Sequence, residues 1–178
     1  MSEICHPLKG VCIVLSLVED HLRKKDFIST SLKNEIPEHT NIVFKSAVEE
    51  NVREDALPIV AYKSGEISLH PFNPQHNIGV VGGTALQVTY RLSFIVSTTS
   101  EGLTNELSLE IGALIGALIK DLREVDVYIN NINISETQKD EVKYFIQTVV
   151  IDMCLGYPVW KTERFRTTLR EIPVLSTN

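Results

Sequence analysis

The clearest pattern of apolar and polar positions lies between Leu86 and Val96. Leu86, Val88, Tyr90, Leu92, Phe94 and Val96 alternate with Gln87, Thr89, Arg91 and Ser93. A period of two gives an extended segment one apolar and one polar face, so the spacing predicts a strand. The period then changes. Leu103, Leu107, Ile111, Leu114, Ile115, Leu118, Ile119 and Leu122 fall within an arc of about 160° at the helical angle of 100° per residue, which predicts one helix over roughly 102–123. Thr98 and Glu101 have capping-box spacing at its start. Gly112 and Gly116 lie beside the apolar arc, with Ala113 and Ala117 beyond them. Each helical glycine costs roughly 1 kcal/mol relative to alanine. The pair is therefore expected to serve close approach by another element, either the chain's own sheet or a second subunit.

The other elements carry weaker patterns. Leu8, Val11, Cys12, Leu15, Val18 and Leu22 recur at spacings of three and four, which predicts a helix over 8–25. Lys24 and Lys25 stand in its last turn, where the helix dipole favours cations. Pro37 closes a polar stretch after it. Residues 41–48, rich in β-branched and aromatic side chains, read as a strand. Residues 57–62 read as a second, with Pro58 at its start, where a missing N–H does least harm. Lys63, Ser64 and Gly65 are expected to turn the chain and leave 66–70 as a third short strand. Residues 71–85, with Pro71, Pro74, Gly79, Gly82 and Gly83, form a connection longer than the usual hairpin loop. Residues 125–134 predict a strand and 135–141 a turn. In 142–155 both alternating sets are apolar, as expected of a central strand covered on both faces. Gly156, Tyr157 and Pro158 end it. A polar, basic arm follows, anchored by Trp160, Phe165 and Leu169 and able to add an edge strand.

At 178 residues the chain fits one domain, or one domain with an arm. The division expected is a domain over 1–156 and a C-terminal arm over 157–178. Three cysteines are too few for a disulfide framework and read as reduced thiols. The longest apolar run, Ala113 to Ile119, is too short to span a bilayer. Glu3 and His6 stand where an export signal needs a basic region, so none is expected. The net charge of −6 is unevenly spread: residues 101–156 hold ten acidic and four basic groups, and residues 157–178 hold four basic and two acidic. This balance argues against nucleic-acid binding, which needs a basic footprint. It suits complementary contacts between subunits.

The run Gly79–Thr84 invites comparison with a phosphate cradle. A Walker loop requires a lysine after its glycines, and here Gly83 is followed by Thr84 and Ala85. The glycines also precede a strand, whereas anion sites of that kind open a helix, and the dinucleotide spacing fails. The loop reads as a flexible tip joining two strands. Cys5, His6, Cys12, His70 and His76 include no paired, short-spaced set of metal ligands. Cys12 on its helical stripe reads as a small hydrophobe, and Cys154 as a core residue. No Gly-x-Ser-x-Gly elbow is present. Asp126 with Glu141-Val142-Lys143 matches the arrangement by which metal-dependent nucleases hold Mg²⁺. The acidic surroundings count against that reading, and a solvated turn explains the same residues. The sequence thus assigns no catalytic residue, metal or cofactor.

The order of helix, strands with LPIVAY, long glycine-containing loop, amphipathic strand, helix and final hairpin resembles the tail-terminator, or tail-completion, proteins of tailed bacteriophages. The junction YRLSFIVSTTSEGLTNELSLEIGALIGALI carries the likeness, which covers about residues 8–155. The resemblance implies an α+β fold, a twisted and mostly antiparallel sheet with helices on one face. It implies a non-enzymatic virion protein, assembled in the host cytoplasm, whose copies form a ring, commonly a hexamer. The ring caps the tail tube and joins the tail to the head–neck complex. Its implied partners are further copies of itself, the tail tube protein and a head-completion or neck protein. Neither a membrane nor a specific nucleic-acid sequence is among them. The arm, with Arg164, Arg166 and Arg170, would reach a neighbouring subunit, or the sheath if the tail is contractile. Gly79, Gly82, Gly83 and Thr84 would project toward the tube or lumen, and Gly112 and Gly116 would offer a contact surface. The same element order also suits a different neck protein or an adaptor of similar α+β build.

Overall fold

The alternation after Leu86 forms the centre of the molecule. The structure, a computed structural model, describes residues 9–37, 39–47, 57–71, 86–125, 127–141 and 144–157. In chain order these form α1 (Lys9–Lys24), α2 (Thr30–Glu35), β1 (Val43–Ser46), β2 (Ile59–Pro71), β3 (Leu86–Thr98), α3 (Glu101–Ala117), α4 (Ile119–Glu124), β4 (Val127–Ile134), β5 (Gln138–Lys139) and β6 (Phe145–Tyr157). The sheet has the order β1-β2-β3-β6-β4, with β5 pairing the start of β6. Only the short β1–β2 pair is parallel. The connection from β3 through α3 and α4 reaches β4, and β6 then inserts between them, antiparallel to both.

One face of this sheet is packed. Val88, Tyr90, Leu92, Phe94 and Val96 of β3 are buried, as are Val149, Ile151 and Met153 of β6. Tyr90 stands opposite Met153, Leu92 opposite Ile151 and Phe94 opposite Val149. Against them lie Val14 and Val18 of α1, Leu32 of α2, Leu107, Ile111 and Ile115 of α3, and Leu122 of α4, all in one hydrophobic cluster. The fold is therefore α+β, a mostly antiparallel sheet with its helices on one side, because only one of the two alternating sets in β3 is apolar.

Several boundaries differ from the sequence reading. Lys63, Ser64 and Gly65 do not turn the chain. Residues 57–62 and 66–70 belong largely to one strand, β2, whose register shifts between Ser64 and Ile67. Ser64 faces Leu92 and Ile67 faces Tyr90, so residues 65 and 66 oppose the single Arg91. This is a bulge. Both halves pair with β3, whose thirteen residues offer an uninterrupted ladder. The helix expected over 102–123 breaks at Leu118 (φ −93°, ψ 4°), whose amide is shared between the carbonyls of Leu114 and Ile115. The break lets α4 bury Leu122 over β4.

The capping residue of α3 is Ser100, whose hydroxyl accepts from the Leu103 amide. Thr98 is still paired with Phe145 in the sheet, and its hydroxyl bonds to Thr104 instead. The polar stretch before Pro37 contains α2, capped by Ser29. In α1 the buried stripe runs through Val11, Val14, Val18 and Leu22, while Cys12 is exposed and so is not a core hydrophobe. β6 is central but packed on one face, with Ile146 and Val150 half-buried on the other. Its pairing continues through Gly156 and Tyr157, which were expected to end it. A further short pairing, β5, lies within the expected turn.

Candidate functional site

The sheet face away from the helices carries a transverse polar row. It begins at the β2 bulge, where a Cβ built on Gly65 would stand 3.0 Å from Arg91 Cβ and 3.1 Å from the Arg91 carbonyl oxygen. It continues through Arg91, which faces Asp152 directly across β3 and β6. Arg91 Nε donates to Asp152 Oδ1 at 2.7 Å and Nη2 to Oδ2 at 3.3 Å. It ends at Asn131 of β4, also level with Asp152, beside a second bulge that inserts Asn130. Bulges re-aim side chains and sharpen local twist. Here two of them flank one ion pair and leave a shallow hollow of about 330 Å³, lined in part by Ser68, Thr89, Asn130 and Asn131. The pair is too exposed to add more than roughly 0.2–1 kcal/mol to stability. Its consequence is geometric: it fixes two opposite charges amid amide and hydroxyl groups, a surface suited to polar contact. Among the described residues no set of three His, Cys, Asp or Glu side chains could hold a metal ion.

The helical side is organised by a residue that the sequence reading passed over. Glu110 of α3 is 2% exposed. Its Oε1 accepts from His21 Nε2 of α1 at 2.9 Å and from the Ile28 amide, and its Oε2 accepts from the Ser29 amide at 3.0 Å. One carboxylate thus joins α1, the bend before α2, and α3. One turn earlier, Glu106 Oε2 accepts from the hydroxyls of Ser29 and Ser31 at 3.3 and 3.1 Å. The signal for Glu110 was present, since it is the only charge between Leu107 and Ile119. The Arg91–Asp152 pair had no such signal, because its partners are separated by 61 positions.

Of the expected contact residues, Gly79, Gly82, Gly83, Thr84, Arg164, Arg166 and Arg170 lie outside the described residues. Cys5, His6, His76, Asp126, Val142 and Lys143 also lie outside them. Glu141 is exposed, with its amide bonded to Asp140 Oδ1. Cys154 is buried as expected, though on the helix-free face, level with Thr89. A Cβ on Gly112 would meet Ile132 and Ile134 of β4 at an ordinary 3.6 Å, and one on Gly116 would meet nothing within 4 Å. Close approach within the described residues therefore requires neither glycine. Gly112→Ala and Gly116→Ala are each expected to raise stability by up to about 1 kcal/mol through helix propensity, read as a higher urea midpoint.

No protein-family model matches the chain, and no curated protein matches it. Among the described residues no helix is long and apolar enough to cross a membrane.

Proposed function

We propose that this chain is a non-enzymatic structural subunit of a tailed-phage virion, acting at the junction of tail and neck. Copies of it form a ring, of six in this reading, that terminates the tail tube and meets the tube protein on one side and a head-completion protein on the other. The observation that carries the proposal is the one-sided sheet, the build that the likeness in element order implies. Among the described residues, helices cover one face and leave the other, with its transverse polar row, and two unlike edges for contact. Head-to-tail association around a ring joins two different patches of the same subunit. β1, four residues long, and β4, eight residues long with exposed Asn130, Asn131 and Asn133, supply unlike edges at opposite ends of the sheet. Light scattering and negative-stain microscopy test the reading. The expected particle is a ring with a mass several times the 20.0 kDa subunit, formed alone or on added tail tubes. A chain that stays monomeric in both conditions overturns it, as does Mg²⁺-dependent DNA cleavage abolished by Glu141→Ala.

A further inference from the structure

The two edges of the sheet are protected unequally. β1 is four residues long and carries Lys45, and short or charged edges discourage pairing with another chain. β4 is eight residues long, VYINNINI, with neither a charge nor a proline, and it stands last in the strand order. Its bulge at Asn130 leaves residues 131–134 in regular register with β6. The Ser135 amide donates to the Thr148 carbonyl at 2.9 Å, so the alternation of the ladder directs Asn131 and Asn133 to β6 as well. The N–H and C=O groups of Ile132 and Ile134 then point away from the sheet. Their side chains lie on the helix side, near Gly112, while Asn131 and Asn133 are exposed and alternate onto the other face. This edge is a template for one more strand.

We infer that residues 163–170 of a second copy occupy this edge, running antiparallel to β4. They lie outside the described residues and follow β6, which ends at Tyr157. Their sequence alternates with the period of a strand: Phe165, Thr167 and Leu169 form one set, and Arg164, Arg166, Thr168 and Arg170 the other. The first set continues the apolar row of Ile132 and Ile134. The second falls beside Asn133 and Asn131, which faces Asp152. Charge agrees with pattern. Residues 135–141 hold Glu136, Asp140 and Glu141 against one base, Lys139, and all four are exposed. Residues 163–170 hold three arginines against one acid, Glu163. The place where β6 ends decides whose segment fits. Leu155 stands opposite Val127, at the start of β4. To run antiparallel, a chain's own segment would have to begin at the far end of β4, about 26 Å away. The linker 158–162 spans at most about 18 Å. Within one copy only the weaker parallel pairing is left. A contact between an arm and an edge joins two unlike patches, so it propagates around a ring. The inference thus rests on the ring reading and names the contact that joins neighbours.

Cysteine cross-linking between two chains, both with Cys5→Ser and Cys12→Ser, tests the geometry. One chain carries Asn133→Cys. The other, distinguished by a mass tag, carries one of Arg164→Cys, Phe165→Cys, Arg166→Cys, Thr167→Cys, Thr168→Cys or Leu169→Cys. Asn133 occupies a non-hydrogen-bonded position against the added strand, with Cα atoms about 4.5 Å apart, within disulfide reach. The expected product on oxidation joins the two unlike chains, strongest at one of positions 164, 166 and 168 and weak at 165, 167 and 169. In the otherwise unaltered chain, Asn131→Lys combined with Asn133→Lys is expected to reduce the mass seen by light scattering to that of the 20.0 kDa subunit, in the condition where the parent assembles. Asn133→Glu is expected to keep the assembly. The lysine variant carries the test if the cysteine-replaced chains fail to fold. Cross-linking without a period of two, closure within one chain when the two cysteines are combined, or an unchanged mass for the lysine variant overturns the inference. The two readings fail separately. A ring without the alternating cross-link sinks only the strand contact, and alternating cross-links in a particle that is not a ring sink only the ring.

Discussion

Glu110→Ala is expected to cost about 3–5 kcal/mol of folding stability, the range for removing one partner from a buried charged network. The substitution leaves His21 Nε2 and the amides of Ile28 and Ser29 without their acceptor. Such groups lose solvation on folding and regain nothing unless water enters. For a chain of this size the loss corresponds to a fall in melting temperature of roughly 10 °C. Glu110→Gln keeps the shape and one acceptor oxygen but turns an amino group toward a backbone donor, so a loss of about 1–3 kcal/mol is expected. Hydrogen exchange separates a local effect from a global one. The amides of residues 28 and 29 should open first, since the carboxylate holds them directly. An unfolding free energy from urea denaturation within about 1 kcal/mol of the parent would show that Glu110 does not bind the three elements together. The effect also reaches the surface, because the bond to the Ile28 amide helps place the exposed Ile28 side chain.

Gly65→Val is expected to cost up to about 3 kcal/mol, and Gly65→Ala about 1 kcal/mol, by overpacking at the β2 bulge. Any side chain at this position meets Arg91 Cβ at 3.0 Å and the Arg91 carbonyl oxygen at 3.1 Å. The side-chain atoms can shift, but the carbonyl belongs to β3, which is held between β2 and β6 along its length. Relief therefore requires β2 to move away or the bulge to slip. A slip by one residue would exchange the faces of the strand and expose one of its packed sets. Urea denaturation measures the loss, and an unchanged midpoint would show that the bulge yields freely. Displacement of Arg91 should also disturb its pairing with Asp152, so the polar row would change along with stability.

Most of the element order was legible because its cause is local. The period of two from Leu86 and the helical period from Leu103 each need only a face to bury. The errors arose where a partner strand or helix competed with local chemistry. Ser64 and Gly65 carry turn chemistry, yet β3 is long enough to pair with both halves of β2, and the chain bulges instead. Thr98 has the spacing of a cap, but its place in the ladder opposite Phe145 moves the cap to Ser100. Cys12 fits one three-and-four spacing, but Val14 fits another, and only contact with the sheet decides which side of α1 is inside.

An α+β domain with an amphipathic strand leading into a long apolar helix follows from the residue pattern alone, because hydrophobic periodicity depends on neighbours a few residues away. The pattern also singled out Gly112 and Gly116, although for a close approach that the described structure does not require. That Glu110 is buried while Leu109, Ala113 and Gly116 face outward emerges from the folded chain and not from its local pattern. Folding likewise brought Arg91 to Asp152, and two bulges to that pair. These assignments depend on strand order, register and the rotation of each helix against the sheet. Such quantities join residues 60 to 90 positions apart, and no local spacing encodes them.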